Sequence, residues 1–165
     1  MDEMIYSLVA KHNYSEPMKL VLEHLARKSD FFTMSDDLAS LGKTIMDLQS
    51  ESIDFIFDFV ELILEDGILT LEEMNTLTFL KRYLHIKEGD FLKYHKEFKI
   101  QEIIYLQMQK IYSDLFVDNK EALTKTDLQK LFDLSYDQFL HFERKAVEEA
   151  LKKGANIRDL DTFYK

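Results

Sequence analysis

The fold is decided by residues 51–77, ESIDFIFDFVELILEDGILTLEEMNTL. The first part of this stretch is largely apolar with carboxylates at helical spacing, and it predicts a helix over about 52–65 that stops at Asp66-Gly67. Thr70 and Glu73 then form the signature of a capping box, in which each side chain accepts a hydrogen bond from the other residue's backbone N–H. A second helix is therefore expected to begin at Thr70.

Helical periodicity extends outward from this stretch in both directions. Apolar residues recur at spacings of three and four in two further stripes, which are Met18, Val21, Leu22 and Leu25, and Ile100, Ile103, Ile104, Met108 and Ile111. Strand alternation is sparse, and the chain contains one Pro and four Gly. We predict an all-α protein, a single compact domain over residues 1–165 with about seven to nine helices.

Cap residues predict where individual helices begin. Ser15 precedes Glu16-Pro17 and predicts one helix start, and Ser35 or Asp36 predicts the next. Thr124 predicts the start of a short helix that ends near Phe132. The thirteen Phe and eight Tyr are assigned to the core, with Phe31-Phe32 and the run from Phe55 to Phe59 among them.

Two stretches resemble each other and predict an internal repeat over about 52–97 and 100–153. The matching features are Asp66-Gly67 and Asp118-Asn119, Thr70 and Thr124, and Leu84-His85-Ile86 and Phe132-Asp133-Leu134. Because Gly and Asn accept a positive φ most readily, Gly67 and Asn119 are expected to make the same reversal. A true duplication implies two pseudo-symmetric helical halves, and the alternative is two similar helix-turn-helix units that arose by chance.

The charge of the chain restricts its partners. The net charge is −10, and residues 1–82 carry 16 acids and 7 bases. Such a field repels phosphate backbones and favours cations or a basic protein surface, so nucleic acid is not an expected partner. The chain has no Cys, its acidic start is unlike a secretory leader, and no apolar stretch approaches the ~20 residues of a membrane span. A cytoplasmic location is the resulting expectation.

Carboxylates are concentrated without bases between Lys43 and Lys81. The nine acids are Asp47, Glu51, Asp54, Asp58, Glu61, Glu65, Asp66, Glu72 and Glu73. Four of them follow helical spacing, and they are Asp54, Asp58, Glu61 and Glu65. Like charges at this spacing cost roughly 0.2–0.5 kcal/mol per pair. This face is either the solvent-exposed side of an amphipathic helix or a site whose repulsion is offset by a cation or a basic partner.

The Asp66-Gly67 turn invites comparison with a calcium-binding loop. Leu62 and Leu64 occupy two positions that must ligate in an EF-hand, which excludes an orthodox one. The predicted site, which is for calcium or magnesium, comprises Asp66 and Glu73 with the nearby acids Asp58, Glu61 and Glu65. The alternative is that Asp66-Gly67 is only a turn and Glu73 only a capping residue.

Sequence motifs for catalysis are missing. No Gly-rich phosphate loop, nucleophile elbow or HExxH motif occurs, and no two of the five His are spaced for a shared metal on one helix. We therefore predict that the protein is not an enzyme.

A set of features around the Asp66-Gly67 turn resembles the signature of TerB-like domains, an all-helical family associated with tellurite resistance. The features are the helix before Asp66-Gly67, the following Leu69-Thr70 and Glu73, and the later Leu84-x-Ile86. The resemblance implies two pseudo-symmetric helical halves, clustered acids with a divalent-metal role, and a link to bacterial chemical stress and phage defence. It carries Asp66, Gly67 and Glu73 over to this chain. Asn119 departs from the pattern in the second half, which puts a symmetric pair of sites in doubt.

These observations lead to two functional hypotheses. The first is a non-enzymatic TerB-like binding module that holds a divalent cation weakly and serves in stress-response protein assembly. The alternative is a metal-independent adaptor whose acidic helix face docks on a basic protein partner.

Overall fold

The computed structural model describes residues 1–65 and 69–156. These residues form nine α-helices and a short 3-10 helix over Ile45–Leu48, and no strand occurs among them. The α-helices are α1 Asp2–Lys11, α2 Glu16–Ala26, α3 Phe31–Ser40, α4 Gln49–Leu64, α5 Leu71–Tyr83, α6 Asp90–Lys93, α7 Glu97–Ile111, α8 Asn119–Leu131 and α9 Tyr136–Lys152. The predicted all-α class is confirmed.

The chain divides into two compact units. Unit 1 comprises Met1–Ile63 and Asn75–Lys87, and unit 2 comprises Leu64–Met74 and Glu88–Lys165. These limits differ from those of the predicted repeat. The single-domain organisation and the duplication both stay predictions.

The core of unit 1 is built on α4. Ile53, Phe55, Ile56, Phe57, Phe59 and Val60 are fully buried, so this helix is surrounded by other residues on nearly every side. The Phe55 ring lies 5.9 Å from the Phe59 ring and 6.1 Å from the Tyr14 ring, the latter in an edge-to-face arrangement. The assignment of Phe55 and Phe59 to the core is confirmed. Phe32 is 79% exposed, however, and its assignment to the core is wrong.

The core of unit 2 contains the predicted α7 stripe. Ile100, Ile103, Ile104, Met108 and Ile111 are buried as their spacing predicts. Phe91 and Phe132 are also buried, and their rings meet edge to face at 5.5 Å. Spacing alone therefore identified the buried side of α7 correctly.

A predicted helix start was correct where no other capping residue preceded it within about two turns. Ser15 Oγ accepts from the Met18 backbone N–H at 3.3 Å and caps α2 as predicted. The start at Ser35 or Asp36 is wrong, because Asp30 caps α3 one turn earlier by accepting from the backbone N–H and the hydroxyl of Thr33.

The predicted cap at Thr124 is also wrong. Helix α8 begins at Asn119, and Asp118 and Glu121 form a reciprocal capping box with distances of 2.8 and 2.9 Å. Thr124 is buried within the helix. Asn119 is accordingly helical, and the positive φ in this connection is at Leu115, with a φ of 66°. Thr70 and Thr124 therefore do not play matching roles. Gly67, which was predicted to make the same reversal as Asn119, lies outside the described residues.

The ends of α5 and α8 do match. His85 and Asp133 both adopt a φ of 54°, and the N–H groups of the next residues, Ile86 and Leu134, bind carbonyls five positions back. Ile86 and Leu134 are both buried, as the apolar contact of this C-terminal motif requires. The N–H groups of Ser29, Lys43, Lys96 and Ala155 make the same bond after α2, α3, α6 and α9, so this ending is common in the chain and the predicted repeat stays a prediction.

Candidate functional site

The acidic side of α4 is partly covered by the segment that joins α1 to α2. Asp58 is only 9% exposed, although aspartate side chains are rarely buried without a partner. Its Oδ2 accepts a 2.6 Å hydrogen bond from the Tyr14 hydroxyl and lies 3.3 Å from His12 Nδ1. The His12 and Tyr14 rings are stacked 5.9 Å apart. Asp58 therefore holds the connection between two helices rather than facing solvent.

Glu51, two turns earlier on α4, serves the same segment. Its Oε2 accepts a 2.9 Å hydrogen bond from the backbone N–H of Ser15, which is the cap residue of α2. Glu61, on the same helix, is exposed, and Asp54 is partly exposed. The four acids of the predicted face therefore differ, because Asp58 is buried, Asp54 is partly exposed, and Glu61 and Glu65 are exposed.

The environment of Tyr14 makes this arrangement sensitive to alkaline pH. Burial, followed by the hydrogen bond to Asp58 and the charges of Asp58 and Asp54, raises the pKa of the Tyr14 phenol well above its ordinary value. The unfolded chain releases this proton near pH 10, whereas the folded chain retains it. The stability contributed by Tyr14 is therefore present below about pH 10 and lost as the pH rises further.

We expect Tyr14 to stay protonated in the native protein between about pH 10 and 11. Wild type and Tyr14→Phe should show equal phenolate absorbance in that range, and unfolding in denaturant should reveal one additional phenolate in the wild type. If Tyr14→Phe instead removes one ionising group from the native titration, the buried hydrogen bond to Asp58 does not exist in solution.

Glu73 forms the capping box that the sequence predicts. Its Oε2 accepts 2.7 Å hydrogen bonds from the backbone N–H and from the hydroxyl of Thr70, and the Glu73 N–H donates to Thr70 Oγ1 at 3.3 Å. This carboxylate is consequently engaged at the start of α5.

The remaining predicted ligands are placed differently. Glu61 and Glu65 are exposed, and Asp66, the central residue of the predicted cation site, lies outside the described residues. Over residues 1–65 and 69–156, no group of three or more His, Asp or Glu side chains is arranged to hold a metal ion. Within unit 2, Lys110 Nζ donates a 2.5 Å hydrogen bond to the Leu64 carbonyl. The cation site remains a prediction.

Sequence reasoning missed a buried charged cluster in unit 2. Glu143 is 4% exposed, and its Oε2 lies 3.1 Å from both Lys125 Nζ and the Tyr112 hydroxyl. Lys125 Nζ also donates to the Tyr112 oxygen at 3.0 Å. Glu143 occupies a position of the buried stripe formed by Phe139, Ala146 and Ala150. A carboxylate within an apolar helical stripe was the sequence feature that could have revealed this cluster.

Another tyrosine–carboxylate contact joins α7 to α9. Glu149 accepts hydrogen bonds from the Tyr105 hydroxyl at 2.9 Å and from Gln109 Nε2 at 3.1 Å. These two hydrogen bonds lower the pKa of the Glu149 carboxyl. Lys145 Nζ lies 4.5 Å from the centre of the Tyr105 ring. The contact is near the surface and joins one side of α7 to one side of α9.

The buried clusters share one chemistry. Asp58 and Glu143 each accept from a phenol and each face a basic group, His12 in the first case and Lys125 in the second. A buried carboxylate that is hydrogen-bonded and paired in this way stabilises a specific arrangement of helices. Both clusters are therefore understood as parts of the fold.

Compared with known proteins, this chain matches no protein-family model, no curated protein and no solved structure. The resemblance to TerB-like domains accordingly stays a prediction. In the part of the chain that the structure describes, every helix is too short or too polar to span a membrane.

Proposed function

We propose that this chain is a non-enzymatic binding module that docks, without a metal ion, on the basic surface of a protein partner. The docking surface is the accessible part of the acidic side of α4, which is represented by Asp54 and Glu61. These residues are seven positions apart on one helix, so they lie two turns and about 10 Å from each other on the same side.

The observation that carries the proposal is the division of the acidic side of α4. Asp58 accepts a hydrogen bond from Tyr14 inside unit 1, whereas Glu61 is exposed one turn further along. The net charge of −10 adds a long-range attraction for a basic partner and accelerates the encounter at low salt.

The contacts of two predicted ligands favour docking without metal. Asp58 and Glu73 accept hydrogen bonds of 2.6 and 2.7 Å from Tyr14 and Thr70. A cation that used these carboxylates would have to displace those donors and compensate for leaving them without partners. The resemblance to TerB-like domains further supports a role for the module in a bacterial stress-response assembly.

A fluorescein-labelled decalysine peptide tests the proposal by anisotropy in the presence of EDTA. We expect binding that weakens as salt is added, because the attraction is electrostatic. Asp54→Asn/Glu61→Gln should weaken binding at least about fivefold, which corresponds to roughly 1 kcal/mol.

The matched control is Glu3→Gln/Asp36→Asn. It removes the same charge from exposed or partly exposed carboxylates of unit 1 and should change binding by less than about twofold. Equal losses in the two variants would show that only net charge matters, and the proposed face would be wrong. Binding that requires calcium or magnesium, and that Asp66→Asn/Glu73→Gln abolishes, would instead support the cation hypothesis.

A further inference from the structure

A charged stripe runs along the exposed side of α2. Glu16, Lys19, Glu23 and Arg27 are spaced by three, four and four residues, which places them within about 80° of one another on the helix. Within one chain, Lys19 pairs with Glu16 at 2.7 Å and Arg27 pairs with Glu23 at 3.6 Å. Two acids and two bases make this stripe locally neutral on a chain whose net charge is −10.

An apolar groove lies beside the stripe, between α1 and α2. It encloses about 440 Å³, and the charged residues Glu16, Lys19 and Glu23 form its rim. Its apolar lining is Ile5, Tyr6, Val9, Leu20, Leu22 and Leu41. Ile5 and Leu22 are fully buried, whereas Tyr6 and Leu41 are each 50% exposed. The groove therefore presents an apolar surface bordered by ionic groups, as protein interfaces commonly do.

We propose that this face of unit 1 binds a second copy of the same chain. The argument is the self-complementarity of the stripe. Two α2 helices can lie antiparallel across a two-fold axis in the register that places Glu16 of one copy opposite Arg27 of the other. In this register Glu23 of the first copy lies within one residue of Lys19 of the second. The same two contacts recur on the other side of the axis, so all four charges of each copy meet an opposite charge.

The charge of the whole chain favours a face of this kind for self-association. Two molecules of net charge −10 repel each other, and a close approach is least unfavourable where acids and bases are equal in number. Leu20 lies between Lys19 and Glu23 in the sequence and within two residues of the axis of the pairing, so it lies close to its equivalent in the other copy. Tyr6 and Leu41 supply half-exposed apolar area beside that contact.

The pairing is expected to be weak, because the α2 stripe is only about 16 Å long. A dissociation constant of roughly 10–100 µM at low salt is consistent with such an interface. Sedimentation equilibrium over that concentration range should show the average mass rising from 19.6 kDa towards twice that value.

Charge reversal provides the decisive test. Glu16→Lys/Glu23→Lys makes the stripe entirely basic, and Lys19→Glu/Arg27→Glu makes it entirely acidic. We expect each variant to remain monomeric by itself and an equimolar mixture of the two to form heterodimers. Circular dichroism and thermal melting of each variant establish that both fold.

The contribution of the groove is tested separately. Leu41→Asp should weaken dimerisation at least tenfold, whereas Leu123→Asp, at an exposed leucine of unit 2, should leave it unchanged. A wild type that is monomeric up to millimolar concentration would overturn the proposal. A wild-type dimer that survives both charge reversals would overturn it as well, because another surface would then be responsible. Neither result bears on docking to a basic protein through α4.

Discussion

Replacing Lys125 by methionine is expected to lower the free energy of unfolding by about 3 kcal/mol. Glu143 is buried, and Lys125 Nζ is the cation that lies 3.1 Å from its carboxylate. Methionine fills similar space but carries no charge, so the carboxylate is left with the Tyr112 hydroxyl in a poorly solvated environment. The melting temperature should fall by roughly 6–12 °C.

Two further variants separate the buried charge from the loss of an ordinary ion pair. Arg144→Met breaks an exposed ion pair in which Arg144 Nε lies 2.9 Å from Glu148 Oε1. It should change the free energy of unfolding by less than about 1 kcal/mol. Lys125→Met/Glu143→Gln removes the buried charge while it keeps an acceptor for Tyr112, so it should recover much of the loss. Equal melting temperatures for Lys125→Met and Arg144→Met would show that Glu143 is well solvated.

Replacing Asp58 by alanine is expected to cost about 2–3 kcal/mol, or a decrease of roughly 4–12 °C in melting temperature. The substitution removes the acceptor of the buried Tyr14 hydroxyl and the carboxylate that faces His12. Thermal unfolding at neutral pH provides the measurement. Asp58→Asn retains an acceptor oxygen and should cost about 1 kcal/mol less than the alanine variant.

Glu61→Ala is the matched control on the same helix. Glu61 is exposed, so its substitution, including the loss of any contact that it makes at the surface, should alter stability by less than about 1 kcal/mol. Sequence spacing assigns Asp58 and Glu61 to the same acidic face, and the structure gives them different surroundings. Similar costs for the two alanine variants would contradict the internal role of Asp58.

A tyrosine double-mutant cycle tests whether Tyr14 and Asp58 act together. Because they share one hydrogen bond, the combined effect of Tyr14→Phe and Asp58→Ala should be smaller than the sum of the single effects. The difference between the sum and the double variant measures the coupling. Additive losses would mean that the two side chains stabilise unit 1 independently.

Local sequence patterns predicted the helices well wherever the structure depends on neighbouring residues. The buried stripe of α7, the cap at Ser15 and the Thr70–Glu73 box are all present as predicted. The errors at Ser35 and Thr124 arose because Asp30 and Asp118 are competing caps slightly earlier in the chain. Each of these aspartates accepts a hydrogen bond from the backbone N–H three residues further on, so the helix already begins at the earlier cap.

The sequence by itself determined that the chain is helical, where most helices lie, and which residues of α7 enter a core. Those properties depend on side chains three and four residues apart, and such neighbours are known from the order of residues alone. Only the tertiary structure decided which carboxylates are internal. Tyr14 and Asp58 are separated by 44 residues and Tyr112 and Glu143 by 31, so no local spacing relates them. The packing of distant helices removes water from one acid and leaves it around the next. Burial in turn determines whether that acid stabilises the fold or lies at the surface.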